Sequence, residues 1–171
     1  YSPAVIHAQT PITVAVELHG KMPLDEIEAI AIDTYWIAER YTDRRNALWR
    51  PSTRETADHS IPYCVIAALI DGSISEASFE ESRVRDPRIA RLLERTTMRE
   101  NPAYTRAHPD EWSCRIEVTG RGGKKQVAEA RHFRGHAKQP LSDQEIERKF
   151  RALARKTLPP LRIDGILRKA W

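Results

Sequence analysis

Pro62 constrains this chain more than any other single residue. It stands second in the apolar run 61–70. Inside a helix, proline removes a hydrogen bond and clashes with the carbonyl four residues back, at a cost of about 3 kcal/mol. In a first turn it costs little. The run is therefore a helix only if it starts at Ser60, whose hydroxyl can cap it. It continues through Val65, Ala68 and Leu69 to Asp71-Gly72, where glycine suits a left-handed stop. A helix that is apolar all round must be buried, so the rest of the chain has to enclose it.

The flanking pattern supplies the enclosure. Thr10-Pro11 reads as a second cap-and-proline start, followed by Ile12, Val14, Ala15, Val16 and Leu18 and stopped near Gly20. A strand is predicted over 27–37, with Ile30, Ile32, Thr34 and Trp36 on one face. The arginine-rich stretch 39–51 reads as a loop, and Ser52 with Glu55 has capping-box spacing for a short helical turn. Short helices are predicted at 75–81 and after Asp86-Pro87, and a strand at 96–100. Trp112, Cys114, Ile116 and Val118 alternate, as do Val127, Glu129, Arg131 and Phe133, and the glycines at 120–123 join them in a hairpin. Ser142 and Glu145 cap a helix whose face is Ile146, Phe150, Leu153 and Thr157, ended by Pro159-Pro160. A last short helix is predicted at 163–171. The fold class is α+β: an antiparallel sheet of about four strands with helices packed on one side.

Composition limits what such a fold does. With 171 residues, 40% of them hydrophobic, the chain can bury one core, with or without an appendage. Its 28 basic and 24 acidic residues leave a net charge of +4, scattered rather than clustered. A nucleic-acid module usually concentrates its charge; a site for a small polyanion would also favour a mild basic excess. No apolar run approaches membrane-spanning length, and the first residues show no signal-peptide pattern. Cys64 and Cys114 read as buried free thiols, which suits a reducing cytoplasm. The stretch 1–18 is apolar from its first residue and reads like the middle of a protein, so a fragment or processed piece is expected.

Three motifs could carry chemistry. Asp58-His59-Ser60-Ile61-Pro62-Tyr63 sets an acid, an imidazole, a hydroxyl and a phenol at a helix start. Such a terminus attracts anions, and His59 could exchange a proton near neutral pH. The competing reading is an Asp/Ser cap beside a histidine satisfied by backbone. His7-Ala8-Gln9-Thr10 places a second histidine at a helix start, as a base, an anion ligand or a packing residue. Gly135-His136 is a turn that either approaches a ligand or does not. His19, His108 and His132 read as surface positions. No Cys/His set has zinc spacing and no glycine-rich phosphate loop is followed by a helix.

Taken in order, Pro3-Ala4-Val5-Ile6-His7-Ala8-Gln9-Thr10, Arg54-Glu55-Thr56-Ala57-Asp58-His59-Ser60-Ile61-Pro62-Tyr63 with Asp71-Gly72, Asp86-Pro87-Arg88-Ile89, Arg134-Gly135-His136 and Pro140-Leu141-Ser142-Asp143 resemble the MmgE/PrpD family over nearly the whole chain. That family includes 2-methylcitrate dehydratase, cis-aconitate decarboxylase and iminodisuccinate epimerase. The His-Ala-Gln-Thr form resembles the methylcitrate dehydratase branch, hence propionate metabolism.

The resemblance implies a C-terminal part of a longer protein. The smaller α+β domain would occupy about 20–140, with helices at 1–19 and 141–171 reaching a missing N-terminal helical domain. It also implies a cytoplasmic homodimer with no metal and no cofactor, acting as a hydro-lyase on a citrate-like tricarboxylate, with most catalytic side chains in the helical portion. His7 and Tyr63 are expected to be catalytic, and His59, Ser60 and Arg54 to bind substrate. His7 and Tyr63 would converge on a pocket floored by the Ser60 helix terminus. The chain alone is expected to be inactive and to expose apolar surface at 12–18 and 163–171. Decarboxylase-like or epimerase-like chemistry stays open within the family. Outside it, the rival is a non-catalytic basic module that binds RNA or protein on its sheet. Trp36, Trp112 and Phe133 alternate as core residues do, which speaks against that rival; no nucleic-acid or membrane partner is expected.

Overall fold

The computed structural model describes residues 2–170, which fall into two compact units, Tyr1–Arg134 and Gly135–Trp171. The first holds four strands, β1 (Ile27–Thr34), β2 (Thr96–Glu100), β3 (Cys114–Gly120) and β4 (Lys125–Ala130), in the order β2-β1-β3-β4. Its helices are α1 (Gln9–Leu18), α2 (Trp36–Tyr41), α3 (Arg54–Asp58), α4 (Ile61–Asp71), α5 (Glu81–Val84), α6 (Pro87–Glu94) and α7 (Pro102–Ala107). The α+β class holds. β3 pairs antiparallel with both β1 and β4, while β1 and β2 run parallel. A parallel pair needs a long crossover, here the segment that carries α2 to α6.

Pro62 sits where the sequence requires. Ser60 caps α4 by accepting the Tyr63 N–H at 3.3 Å, and Gly72 closes it at φ 69° with its N–H on the Ala68 carbonyl. Every residue from Ile61 to Leu69 is buried. Helices α1 and α6 flank α4 and pack on the sheet, α1 against β3 and β4 and α6 against β1, on the face built from Ile30, Ile32, Ile116, Val118 and Ala128. Full burial of an isoleucine such as Ile66 or Ile116 contributes about 1.5–3 kcal/mol. The opposite face is charged: Asp33 pairs with Arg99 and Arg115, and Glu117 with Arg115 at 2.8 Å and Lys125 at 2.7 Å. Apolar inward and ionic outward is the alternation a half-covered sheet demands.

Several local expectations are corrected. β1 stops at Thr34, and Tyr35 opens α2. Trp36 leaves the ladder because its N–H goes to Thr105 Oγ1 at 2.9 Å; it is 48% exposed, not a core residue. The stretch read as loop holds the end of α2 and a 3₁₀ turn, Ala47–Trp49. Thr10 does not cap α1: a 3₁₀ turn at Ile6–Ala8 already starts the coil, so Thr10 lies inside it, buried, with no partner for its hydroxyl. The capping box before α4 uses Thr53 and Thr56, not Ser52 and Glu55. The apolar face of α1 is covered: Ile12, Val14, Ala15 and Leu18 are buried and only Val16 is exposed. Both cysteines are free and buried.

In the second unit, Ser142 and Glu145 form the expected capping box for α8 (Asp143–Ala154). Pro160 opens α9 (Pro160–Ala170), but α8 already stops at Ala154, before Thr157 and the proline pair that was expected to end it. Arg151 ties the two by bonding Glu147 at 2.9 Å and Asp164 at 2.6 Å. Ile163 and Leu167 are buried, whereas Leu161 and Ile166 are exposed. Trp171 lies outside the described residues. Gly135, at φ 98°, and His136 belong to a turn closed on Gln139. No helix among the described residues is long and apolar enough to cross a membrane.

Candidate active site

The local fold around His7 begins with Gln9. Its carboxamide nitrogen donates to the Ser2 and Ala4 carbonyls, each at 2.9 Å, while its oxygen accepts the Ser2 N–H at 3.1 Å. That folds the segment before α1 back on itself. Val5 N–H reaches the Asp58 carbonyl at 3.0 Å, tying the same segment to the end of α3. His7 is held in the turn between these anchors, partly buried.

Its ring meets three others, and a fourth joins the cluster through them. His7 Nδ1 lies 2.7 Å from the Tyr35 hydroxyl. Tyr41, at the end of α2, is tilted against it at 5.6 Å between centroids, and Trp112 at 5.8 Å. His108, just past α7, stacks on Tyr35 at 4.4 Å and meets Trp112 edge-on at 5.0 Å. The cluster thus draws on four separate stretches of chain. Burial, followed by the nearby His108 imidazole, lowers the pKa of His7, so its ring is held neutral. Burial raises the pKa of Tyr35 and, more weakly assisted by Asp58, that of Tyr41. Asp58 continues the cluster toward His59, with which it forms an ion pair.

The other predicted residues divide. His59 is partly exposed; its Nδ1 donates to the Glu55 carbonyl at 2.9 Å and also meets Asp58. The carbonyl, and then Asp58, raise its pKa, against a partial opposing effect of burial. Arg54 opens α3 and is exposed, with no side-chain bond among the described residues. Ser60 is buried and its hydroxyl accepts the Tyr63 N–H, which caps α4.

Tyr63 stands apart from the ring cluster. It has no solvent exposure; its hydroxyl donates to the Ser78 carbonyl at 2.6 Å, and its ring packs beside Phe79 at 6.0 Å. Proline in the first turn fixes this helix face toward the core, and the phenol is satisfied there. The structure brings His7 together with Tyr35, Tyr41 and His108, not with Tyr63. Those three partners escaped the sequence reading. His108 was expected on the surface but is partly buried, its Nε2 enclosed and unpartnered. Tyr35 and Tyr41 bracket a helix that read as strand and loop. Their meeting with His7 depends on contacts 28 and more residues apart, so no local signal could mark them.

This arrangement offers a neutral imidazole at an accessible edge, flanked by phenols and a second histidine, with cationic groups nearby in sequence. It suits proton exchange and carboxylate recognition. Among the described residues, no three His, Cys, Asp or Glu side chains gather so as to hold a metal ion.

Comparison with known proteins places these features. The chain is 38% identical over 113 residues to the 2-methylcitrate dehydratase of Cupriavidus necator, an alignment covering 63% of the chain and 23% of that protein. It is 31% identical over 139 residues to the cis-aconitate decarboxylase of Mus musculus, covering 80% and 26% respectively. It is 32% identical over 113 residues to the 2-methylcitrate dehydratase of Escherichia coli, covering 63% and 23%. The chain thus spans about a quarter of the length of these relatives. The model of the MmgE/PrpD C-terminal domain matches residues 2–171, end to end but for Tyr1, and the chain belongs to the MmgE/PrpD family.

Proposed function

We propose that a longer protein carrying this chain removes water from a citrate-like hydroxytricarboxylate to give an aconitate-like alkene. The observation that carries this reading is the match to 2-methylcitrate dehydratases in a chain whose half-open histidine lies in the matched family domain. Elimination breaks a C–H bond beside a carboxylate and a C–O bond on the next carbon. A base takes the proton, and the electron pair forms the alkene. The hydroxide leaves as water once protonated. Charge grows on the carboxylate as the proton departs, so a donor or cation must be aimed there.

In this scheme His7 takes part in proton transfer or holds a carboxylate. His59, whose raised pKa favours the charged ring, and the exposed Arg54 hold other carboxylates at the rim. The remaining catalytic groups belong to the N-terminal helical domain, so the 171-residue chain alone turns nothing over. The reading gives no step to a metal; activity that survives exhaustive dialysis against a chelator supports it.

A second reading, decarboxylation of an aconitate-like substrate, is favoured by the mouse relative, whose alignment covers more of this chain. The two share a carbanion-like intermediate and separate in one assay. The longer protein is offered 2-methylcitrate and cis-aconitate in parallel, with alkene absorbance and released carbon dioxide both followed. Dehydration without decarboxylation is expected. Carbon dioxide alone would move the assignment to the second reading, and no turnover of either would end both.

A further inference from the structure

The geometry points to Tyr35 as a positioning residue that fixes which nitrogen of His7 carries the proton, and so makes His7 a hydrogen-bond donor toward substrate rather than the proton-abstracting base. The inference deepens the dehydratase reading and rests on it for the word substrate. The tautomer itself rests only on the structure.

Tyr35 is 1% exposed and its hydroxyl has one hydrogen-bond partner among the described residues, His7 Nδ1 at 2.7 Å. Either group could be the donor. If His7 Nδ1–H donated, the phenol hydrogen would be left in the interior with nothing to accept it. Buried hydroxyl hydrogens are almost always placed on an acceptor. The phenol therefore donates and Nδ1 accepts. A neutral imidazole with a lone pair on Nδ1 has its hydrogen on Nε2. Nε2 is the edge left over: it has no partner among the described residues and is not enclosed.

The neighbours hold this state. His108 stacks on the far side of Tyr35, and its presence opposes a positive charge on His7. Tyr41 and Trp112 flank the His7 ring. Tyr41 is the neighbour that stands in the field of Asp58, and burial keeps its phenol protonated. None of these groups competes for Nδ1. A ring pinned in this way offers N–H at Nε2 and cannot take a proton there without first turning over. It can stabilise negative charge on a carboxylate oxygen or on the departing hydroxyl. The proton on carbon must go to a group outside this chain.

Two experiments test the assignment, and they fail separately. In the first, the chain is labelled with ¹⁵N in its histidine rings and long-range ¹H–¹⁵N spectra are recorded near neutral pH. His7 is expected as the Nε2–H tautomer. In Tyr35→Phe, which frees Nδ1, His7 is expected to titrate at higher pH than in the wild type. A neutral His7 protonated on Nδ1, or an unchanged titration in Tyr35→Phe, overturns the tautomer assignment whatever the enzyme does.

In the second, His7→Gln and His7→Ala are compared in the longer protein with 2-methylcitrate. Glutamine keeps an N–H donor near the Nε2 position but cannot act as a base. It is expected to keep at least about a tenth of wild-type kcat, while alanine loses about 10²–10³-fold, the usual effect of deleting one charge-stabilising donor. Glutamine as inactive as alanine overturns the donor role. Absence of dehydration in the wild type refutes the function reading and leaves the spectra to judge the tautomer alone.

Discussion

Two buried tyrosines of this chain look alike and behave differently. Tyr35 and Tyr63 are both closed to solvent, both have raised pKa values from burial, and both make one short hydrogen bond, at 2.7 and 2.6 Å. Tyr63 donates to a main-chain carbonyl, Ser78, and its environment is Phe79 and the body of α4. Tyr35 meets an imidazole whose other edge is open. The first bond completes a core. The second passes the constraint of the core to a group that can reach a ligand. Density of polar residues in a motif therefore says little about where chemistry happens; what matters is whether the last partner in the chain of contacts is itself free to act.

The contrast breaks first on truncation. Tyr63→Ala should cost about 3–5 kcal/mol in urea unfolding, the range for deleting a buried aromatic, while His7→Ala should cost less, about 1–3 kcal/mol, because the buried Tyr35 hydroxyl loses its acceptor. A neutral Tyr63→Ala would remove Tyr63 from the core. Next comes catalysis in the longer protein. His7→Ala should lower kcat/KM by about 10²–10³-fold. Tyr63→Phe should change it by no more than a few-fold, while costing about 1–3 kcal/mol of stability because the Ser78 carbonyl loses its partner. A large kinetic loss with intact folding in Tyr63→Phe would return that phenol to the active site.

Smaller effects sharpen the comparison. Ser60→Ala should cost about 1 kcal/mol, the usual value of a lost helix cap, with substrate KM unaffected. A raised KM at intact stability would show that the α4 terminus does serve the ligand.

The two histidines respond to pH with opposite sign. The unfolded chain binds a proton at residue 7 near pH 6.5, whereas folded His7 resists it, so folding weakens as pH falls below about 6.5. His7→Gln should blunt that acid sensitivity in thermal melts between pH 5 and 8. His59 has a raised folded pKa, so what it adds is fully present below about 6.5 and fades as pH climbs through the folded value. His59→Ala should lower Tm slightly at pH 5–6 and not at pH 8. Because His59 is well exposed, solvent screens its ion pair and this is the smallest effect expected.

Much of the fold was legible because the deciding interactions are local. Ser60 with Pro62, Asp86 with Pro87 and Ser142 with Glu145 act within one turn, and each starts a helix where the pattern puts it. The β3–β4 hairpin is equally short-range. What was missed is long-range. Trp36 alternates like a strand residue, but its N–H is captured by Thr105, 69 positions away, and the strand ends early. The parallel partner of β1 arrives after an entire crossover. The candidate site suffers most: His7 was found through its motif, whereas Tyr35, Tyr41 and His108 acquire meaning only once residues 7, 35, 41 and 108 are adjacent. The burial of Tyr63 was hidden for the same reason, since its partner Ser78 lies beyond the helix.

The crossover between β1 and β2 also bears on how the chain reaches this state. Contacts between distant segments form late, because closing a long loop must be offset by everything it then buries. The β3–β4 ribbon and the capped coils can appear early, but the ring cluster around the imidazole–phenol pair requires the first, second and fourth quarters of the unit to have docked. Trp112 sits in that cluster, 5.8 Å from His7, so its indole emission would report the final consolidation of the molecule during refolding, after backbone signals have already settled.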